Sequence, residues 1–218
     1  MRKTPIAISV ALTGARYSPS RYSELGKLAE HMPVSPAENL VDANLCDQEG
    51  ATYFHFHARN IETGRQFASC HWYDSVANGM RVQVPDALLS FGSSRKGAEV
   101  KQAISRHGES ARSIGLMARP DAFTNFADIE LAAYENEGRH FTSSRLTQSC
   151  IKEFYQQTTR AMEELKIVQE VEITTLPKSF KVLESLRKEF NHKSKLHIVI
   201  LLGLGQRANS CHKPQNRA

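Results

Sequence analysis

Two imidazoles stand two residues apart in the stretch Ala51-Thr-Tyr-Phe-His-Phe-His-Ala58. The stretch reads as a β-strand, and residues two apart on a strand point to the same side. His55 and His57 then face one way, and Phe54 and Phe56 the other. An imidazole nitrogen is a good zinc ligand, and a catalytic zinc site needs a third protein ligand and an open position. The alternative is a pair of buried, hydrogen-bonded histidines, or an exposed pair.

Four other polar residues fall at or near strand ends: Thr13, Ser90, Thr124 and Glu172. Each alone also reads as a satisfied core polar group or a cap. Glu170 and Glu172 flank Val171, so both carboxylates face one side. If that side is buried, they need a cation or hydrogen-bond donors to offset desolvation. Arg16 and Arg59 follow the first strand and the histidine pair, and either could fork onto a carboxylate or phosphate. Arg59 reads rather as a surface charge. No GxSxG elbow, P-loop or HExxH motif is present, and no GxGxxG follows the first strand.

The elements that must position these residues alternate. Strands are predicted over 5–14, 51–58, 87–92, 122–129, 171–175 and 196–204. Residues 16–34 read as a long polar loop, the kind that is often functional. Ser35-Pro36-Ala37-Glu38 is a helix start: a serine cap, proline at the first position and a glutamate completing a capping box. Ala37, Leu40, Val41 and Leu45 then share a face, and Gly50 ends the helix. Further helical patterns cover 100–114, 151–165 and 180–190. Strand–helix alternation predicts an α/β fold with parallel strands, either a (β/α) barrel or an open doubly wound sheet.

The chain has 218 residues, 40% hydrophobic and 23% charged, which excludes collagen-like, low-complexity and wholly disordered classes. The net charge of +5 is a C-terminal property: from Arg187 onward there are seven Lys or Arg against Glu189 alone. No basic stripe is interleaved with aromatics, so no nucleic-acid partner is expected. The longest apolar run is too short for a bilayer, which needs about 20 residues, so no membrane partner is expected either. Four scattered cysteines without a CxxC pair fit reduced thiols and a cytoplasmic location. Met1-Arg-Lys3 followed by Ile6–Leu12 mimics a weak signal peptide, but Ser9 and Thr13 interrupt it, so no cleavage is expected.

Several motifs together resemble a known family. They are Ala11-Leu-Thr-Gly-Ala-Arg-Tyr-Ser-Pro-Ser20, Met32-Pro-Val-Ser-Pro-Ala-Glu38, and Glu49-Gly-Ala-Thr-Tyr-Phe-His-Phe-His-Ala-Arg-Asn60 with Glu62-Thr-Gly-Arg65. Looser matches are Arg119-Pro-Asp-Ala-Phe-Thr-Asn125, Gln169-Glu-Val-Glu-Ile173 and Lys195-Leu-His-Ile-Val-Ile-Leu-Leu-Gly203. The chain is similar, from about residue 5 to 204, to the beta-keto acid cleavage enzymes, first described through 3-keto-5-aminohexanoate cleavage in lysine fermentation.

The resemblance implies a zinc-dependent TIM-type (β/α) barrel, usually a homotetramer. It implies a reaction of a β-keto acid with acetyl-CoA to give acetoacetate and a new CoA thioester. By position, His55 and His57 match the zinc-binding histidines, Ser90 a substrate-contacting serine, Thr124 a pocket threonine and Glu172 a pocket glutamate. Arg16 stands where the member acting on an amine substrate has a glutamate, which suits an anionic or polar substrate side chain here.

A complete barrel has eight strands and about 250 residues. This sequence reads as six, so the expectation is an incomplete barrel over 1–204, C-terminally truncated, with a polar, basic, disordered tail over 205–218. The family's third zinc ligand, its basic aspartate and a substrate-binding arginine lie on the missing strands. Two alternatives accompany this reading: a non-catalytic remnant or interaction protein, and another HxH metal-dependent barrel lyase or hydrolase with Glu172 as replacement ligand.

Overall fold

The computed structural model describes residues 7–12, 32–67, 69–92, 115–127, 158–173 and 196–200. Six strands are present among them: β1 (Ser9–Ala11), β2 (Tyr53–Phe56), β3 (Leu88–Phe91), β4 (Ala122–Ala127), β5 (Val168–Ile173) and β6 (Leu196–Ile200). Among the helices between them are α1 (Pro36–Gln48) and α2 (Cys70–Gln83). Hydrogen bonding orders the strands β1-β2-β3-β4-β5-β6. The pairs β1–β2, β2–β3 and β3–β4 are parallel. The fold is α/β, and the order carries none of the reversal that defines a doubly wound sheet.

The chain divides into two compact units, Met1–Asn125 with Gln157–Gln169, and Phe126–Gln156 with Glu170–Ala218. In the first, strand pairing sets Ala11 opposite His55, His55 opposite Ser90, and Ser90 opposite Ala122. Alternation therefore gives this sheet two distinct faces. Phe54, Phe56, Leu89, Phe91 and Phe123 lie on one, in the core. His55, Ser90 and Thr124 lie on the other.

The apolar face is covered by α2, whose Trp72, Tyr73, Val76, Ala77 and Met80 are buried. Tyr73 packs its ring 4.7 Å from that of Phe91, and Phe56 meets Trp72 edge-on at 6.5 Å. Such aromatic pairs each add about 1 kcal/mol beyond their area burial. This helix is not among those expected from the sequence. Its signal was there: a Ser69 cap and apolar residues at i, i+1, i+4, i+5 and i+8.

The start of α1 is as expected. Ser35 Oγ accepts from Glu38 N–H at 3.3 Å, and Glu38 Oε2 accepts from the Ser35 and Val34 amides at 2.8 and 3.0 Å. These backbone bonds hold the Glu38 carboxyl below its ordinary pKa. At the other end Gly50 takes φ +94°, which suits glycine. The expected apolar face is corrected. Val41 and Leu45 are 59% and 55% exposed, whereas Asn39 and Ala43 are buried. Small Ala43 turns inward, and Leu40 lies so close to Gly79 of α2 that a β-carbon there would collide with it.

Strands β1, β2 and β3 are shorter than expected within the described residues, β5 begins three residues before Val171, and residues 201–204 of the expected last strand lie outside the described residues. Residues 158–165 are helical, with Met162 buried and Leu165 exposed. In the second unit, Val171 is buried, Glu172 is half-buried and Glu170 is almost fully buried. The expected loop at 16–34 lies outside the described residues up to His31. The helices over 100–114 and 180–190, and the tail over 205–218, also lie outside them. Among the described residues, no helix is long and apolar enough to cross a membrane.

Candidate metal centre

The histidines leave the sheet at the C-terminal end of β2. His55 is its penultimate residue, and His57 follows directly after it. Both are half-buried, and their Nε2 atoms face each other at 3.3 Å. Two nitrogens on a tetrahedral zinc, each about 2.0–2.1 Å from the metal, are separated by about 3.3 Å. The pair therefore fits two corners of such a site. Among the described residues, no group of three or more His, Cys, Asp or Glu is placed to hold a metal ion.

Each ring is held at its other nitrogen. His55 Nδ1 lies 2.9 Å from Ser90 Oγ, a bond that follows from their opposed positions on β2 and β3. Ser90 is fully buried. His57 Nδ1 lies 2.7 Å from the Gln66 side-chain nitrogen. Bonds of this kind at the far nitrogen orient metal-ligating histidines and set which nitrogen is protonated. The His57 ring also rests on Gly92, whose carbonyl accepts from Tyr73 Oη at 3.2 Å.

Gln66 was not among the residues singled out by sequence, because a hairpin carries it there. Asn60 N–H donates to Arg65 O at 2.8 Å, and Phe67 N–H to Ala58 O at 2.9 Å. Arg59 and Gln66 are thereby directly opposed across an antiparallel bridge. The turn is closed by Asn60, whose Oδ1 accepts from Thr63 N–H at 2.8 Å, and by Gly64 at φ +64°. Asn60, Thr63 and Gly64 were the available sequence signal.

Arg59 is a correction. It was expected at the surface, yet it is 2% exposed. Its Nη1 donates to Gly64 O at 2.6 Å, inside the hairpin. Burial pushes its guanidinium down to about 10, which leaves it charged at neutral pH.

Thr124 is buried on β4, two residues beyond Ala122, the residue opposite Ser90, and so on the same face. His55, His57, Ser90 and Thr124 thus share one unit and one sheet face. Glu172 belongs to the other unit, on β5. There Glu170 Oε1 lies 3.4 Å from His197 Nδ1. Arg16 and Thr13 lie outside the described residues.

The family model for beta-keto acid cleavage enzyme matches residues 5–215, running past Leu204, where the motif resemblance stopped. No curated protein matches the chain.

Proposed function

The chain belongs to the beta-keto acid cleavage enzyme family, and from that premise we propose that it is a zinc-dependent enzyme. Its reaction joins a β-keto acid with acetyl-CoA and yields acetoacetate and a new acyl-CoA. The observation that carries this reading is the 3.3 Å approach of His55 Nε2 and His57 Nε2. The six-strand order is consistent with part of a TIM-type barrel. Barrel enzymes keep their chemistry at the C-terminal strand ends, where this pair stands.

His55 and His57 would hold the metal. When bound, zinc supplies a Lewis acid toward the keto and carboxylate oxygens of the substrate. Ser90 keeps the His55 ring oriented through its 2.9 Å bond. Thr124 offers a hydroxyl further along the same face. By the family likeness, Glu172 and Arg16 are each proposed to contact substrate, with Arg16 favouring anionic or polar substrate side chains over amines. The proposed assembly is a cytoplasmic homotetramer.

The test is zinc per chain in the purified protein, beside the His55→Ala/His57→Ala double variant. Near-stoichiometric zinc, lost in the variant, with acetoacetate release that requires acetyl-CoA is the expected result. Zinc no higher than in the variant overturns the reading and leaves a non-catalytic member of the family. Efficient cleavage of 3-keto-5-aminohexanoate would remove the role given to Arg16.

A further inference from the structure

The side chains around the histidine pair form one hydrogen-bonded series: Gln66, His57, His55, Ser90. Its direction is fixed at one end. An amide nitrogen only donates, so Gln66 Nε2 donates to His57 Nδ1 at 2.7 Å. Nδ1 must then carry a lone pair, and the proton of the neutral ring sits on Nε2. That proton points along the 3.3 Å line to His55 Nε2, which accepts. His55 in turn keeps its proton on Nδ1 and donates to Ser90 Oγ at 2.9 Å.

This polarity has a chemical consequence. A metal needs the Nε2 lone pairs of both rings, and in this arrangement His57 carries a proton on Nε2 instead and directs it at the lone pair of His55. Turning the Gln66 amide by half a turn replaces its nitrogen with Oε1, an acceptor. The His57 proton then belongs on Nδ1, and its Nε2 lone pair is released toward His55. The ring gains and loses one proton through solvent, so its charge does not change.

We infer that Gln66 is a positioning residue that selects the tautomer of His57: with its amide donating, the pair bonds to itself, and with the amide turned, the pair presents two ligand nitrogens. The hairpin is built to hold that choice in place. Gln66 is opposed to Arg59, and Arg59 braces the turn through Gly64 O at 2.6 Å. The tautomer half of the inference stands on this geometry; its link to metal uptake rests on the function proposed above.

The experiment uses the metal-free full chain with ¹⁵N-labelled histidine, read by two-bond nitrogen–proton correlation spectra. In the natural sequence His57 is expected to carry its proton on Nε2. In Gln66→Glu, where an ionised carboxylate only accepts, the proton moves to Nδ1. Gln66→Met loses the preference, and His55 keeps its Nδ1 proton in all three, which reports an intact site. On adding zinc, Gln66→Glu binds about tenfold more tightly and Gln66→Met about tenfold more weakly than the natural sequence. A His57 proton on Nδ1 in the metal-free natural sequence, or one that does not move in Gln66→Glu, overturns the inference. If the tautomer moves but no zinc binds to any form, the selector role is supported and the zinc reading falls.

Discussion

The His57 imidazole occupies the space that a side chain at residue 92 would need: a β-carbon built on Gly92 falls 2.6 Å from both His57 Nδ1 and Nε2. The ring cannot slide away without breaking its bonds at 2.7 and 3.3 Å. Gly92→Ala is therefore expected to displace His57 and to weaken zinc binding at least about tenfold. Zinc titration checks this. Unchanged affinity would mean that His57 is not held where a ligand must be.

Ser90→Ala tests the opposite end of the series. Deleting the hydroxyl removes the bond to His55 Nδ1 in a fully buried position. The expected cost is about 1 kcal/mol of stability, measured by urea denaturation. Zinc affinity should fall about tenfold in the same protein, because an unheld imidazole loses orientation.

The hairpin brace gives a third expectation. Arg59→Met keeps an apolar stem but leaves Gly64 O without the guanidinium donor. A loss of about 2 kcal/mol is expected, with most of it remaining in Arg59→Lys, since an ammonium cannot reproduce the guanidinium fork. Thermal denaturation of both variants separates these values from an exposed arginine, whose replacement would cost almost nothing.

In the second unit, the hydrogen bond that the His197 ring donates to the Glu170 carboxylate raises the pKa of His197 above 6.5; burial opposes the shift and Coulomb attraction adds to it. A group raised by folding stabilises in full below its unfolded pKa and ceases to do so as pH rises through the folded value. Stability should therefore decline as pH rises from about 6.5 through that higher value. His197→Gln should flatten this part of the profile. Denaturation midpoints across that window provide the check, and an unchanged slope in the variant would exclude the pair as its cause.

Local signals were the most legible in the sequence. The Ser35–Glu38 capping box and the Gly50 terminus needed only residues three or four apart. The shared direction of His55 and His57 followed from strand alternation alone. The contacts that hold them did not. Ser90 reaches His55 through pairing across 35 positions, and Gln66 reaches His57 through a hairpin. Val41 and Leu45 misled for a related reason: they have helical spacing, but close packing of Leu40 on Gly79 turned a different stripe inward. Arg59 looked like a surface charge because its acceptor is a backbone carbonyl, which residue types do not announce.

The pairing of His55 with Ser90 also bears on how the chain avoids misfolding. A slip of β3 by one position against β2 would turn Ser90 to the opposite face and bring Leu89 or Phe91 against the imidazole. The error would bury the ring's polar nitrogen against hydrocarbon while exposing a core residue. The same hydroxyl–imidazole bond that orients a ligand thus penalises misaligned strands, so substitutions at residue 90 should lower the yield of correctly folded chain as well as the affinity of the site.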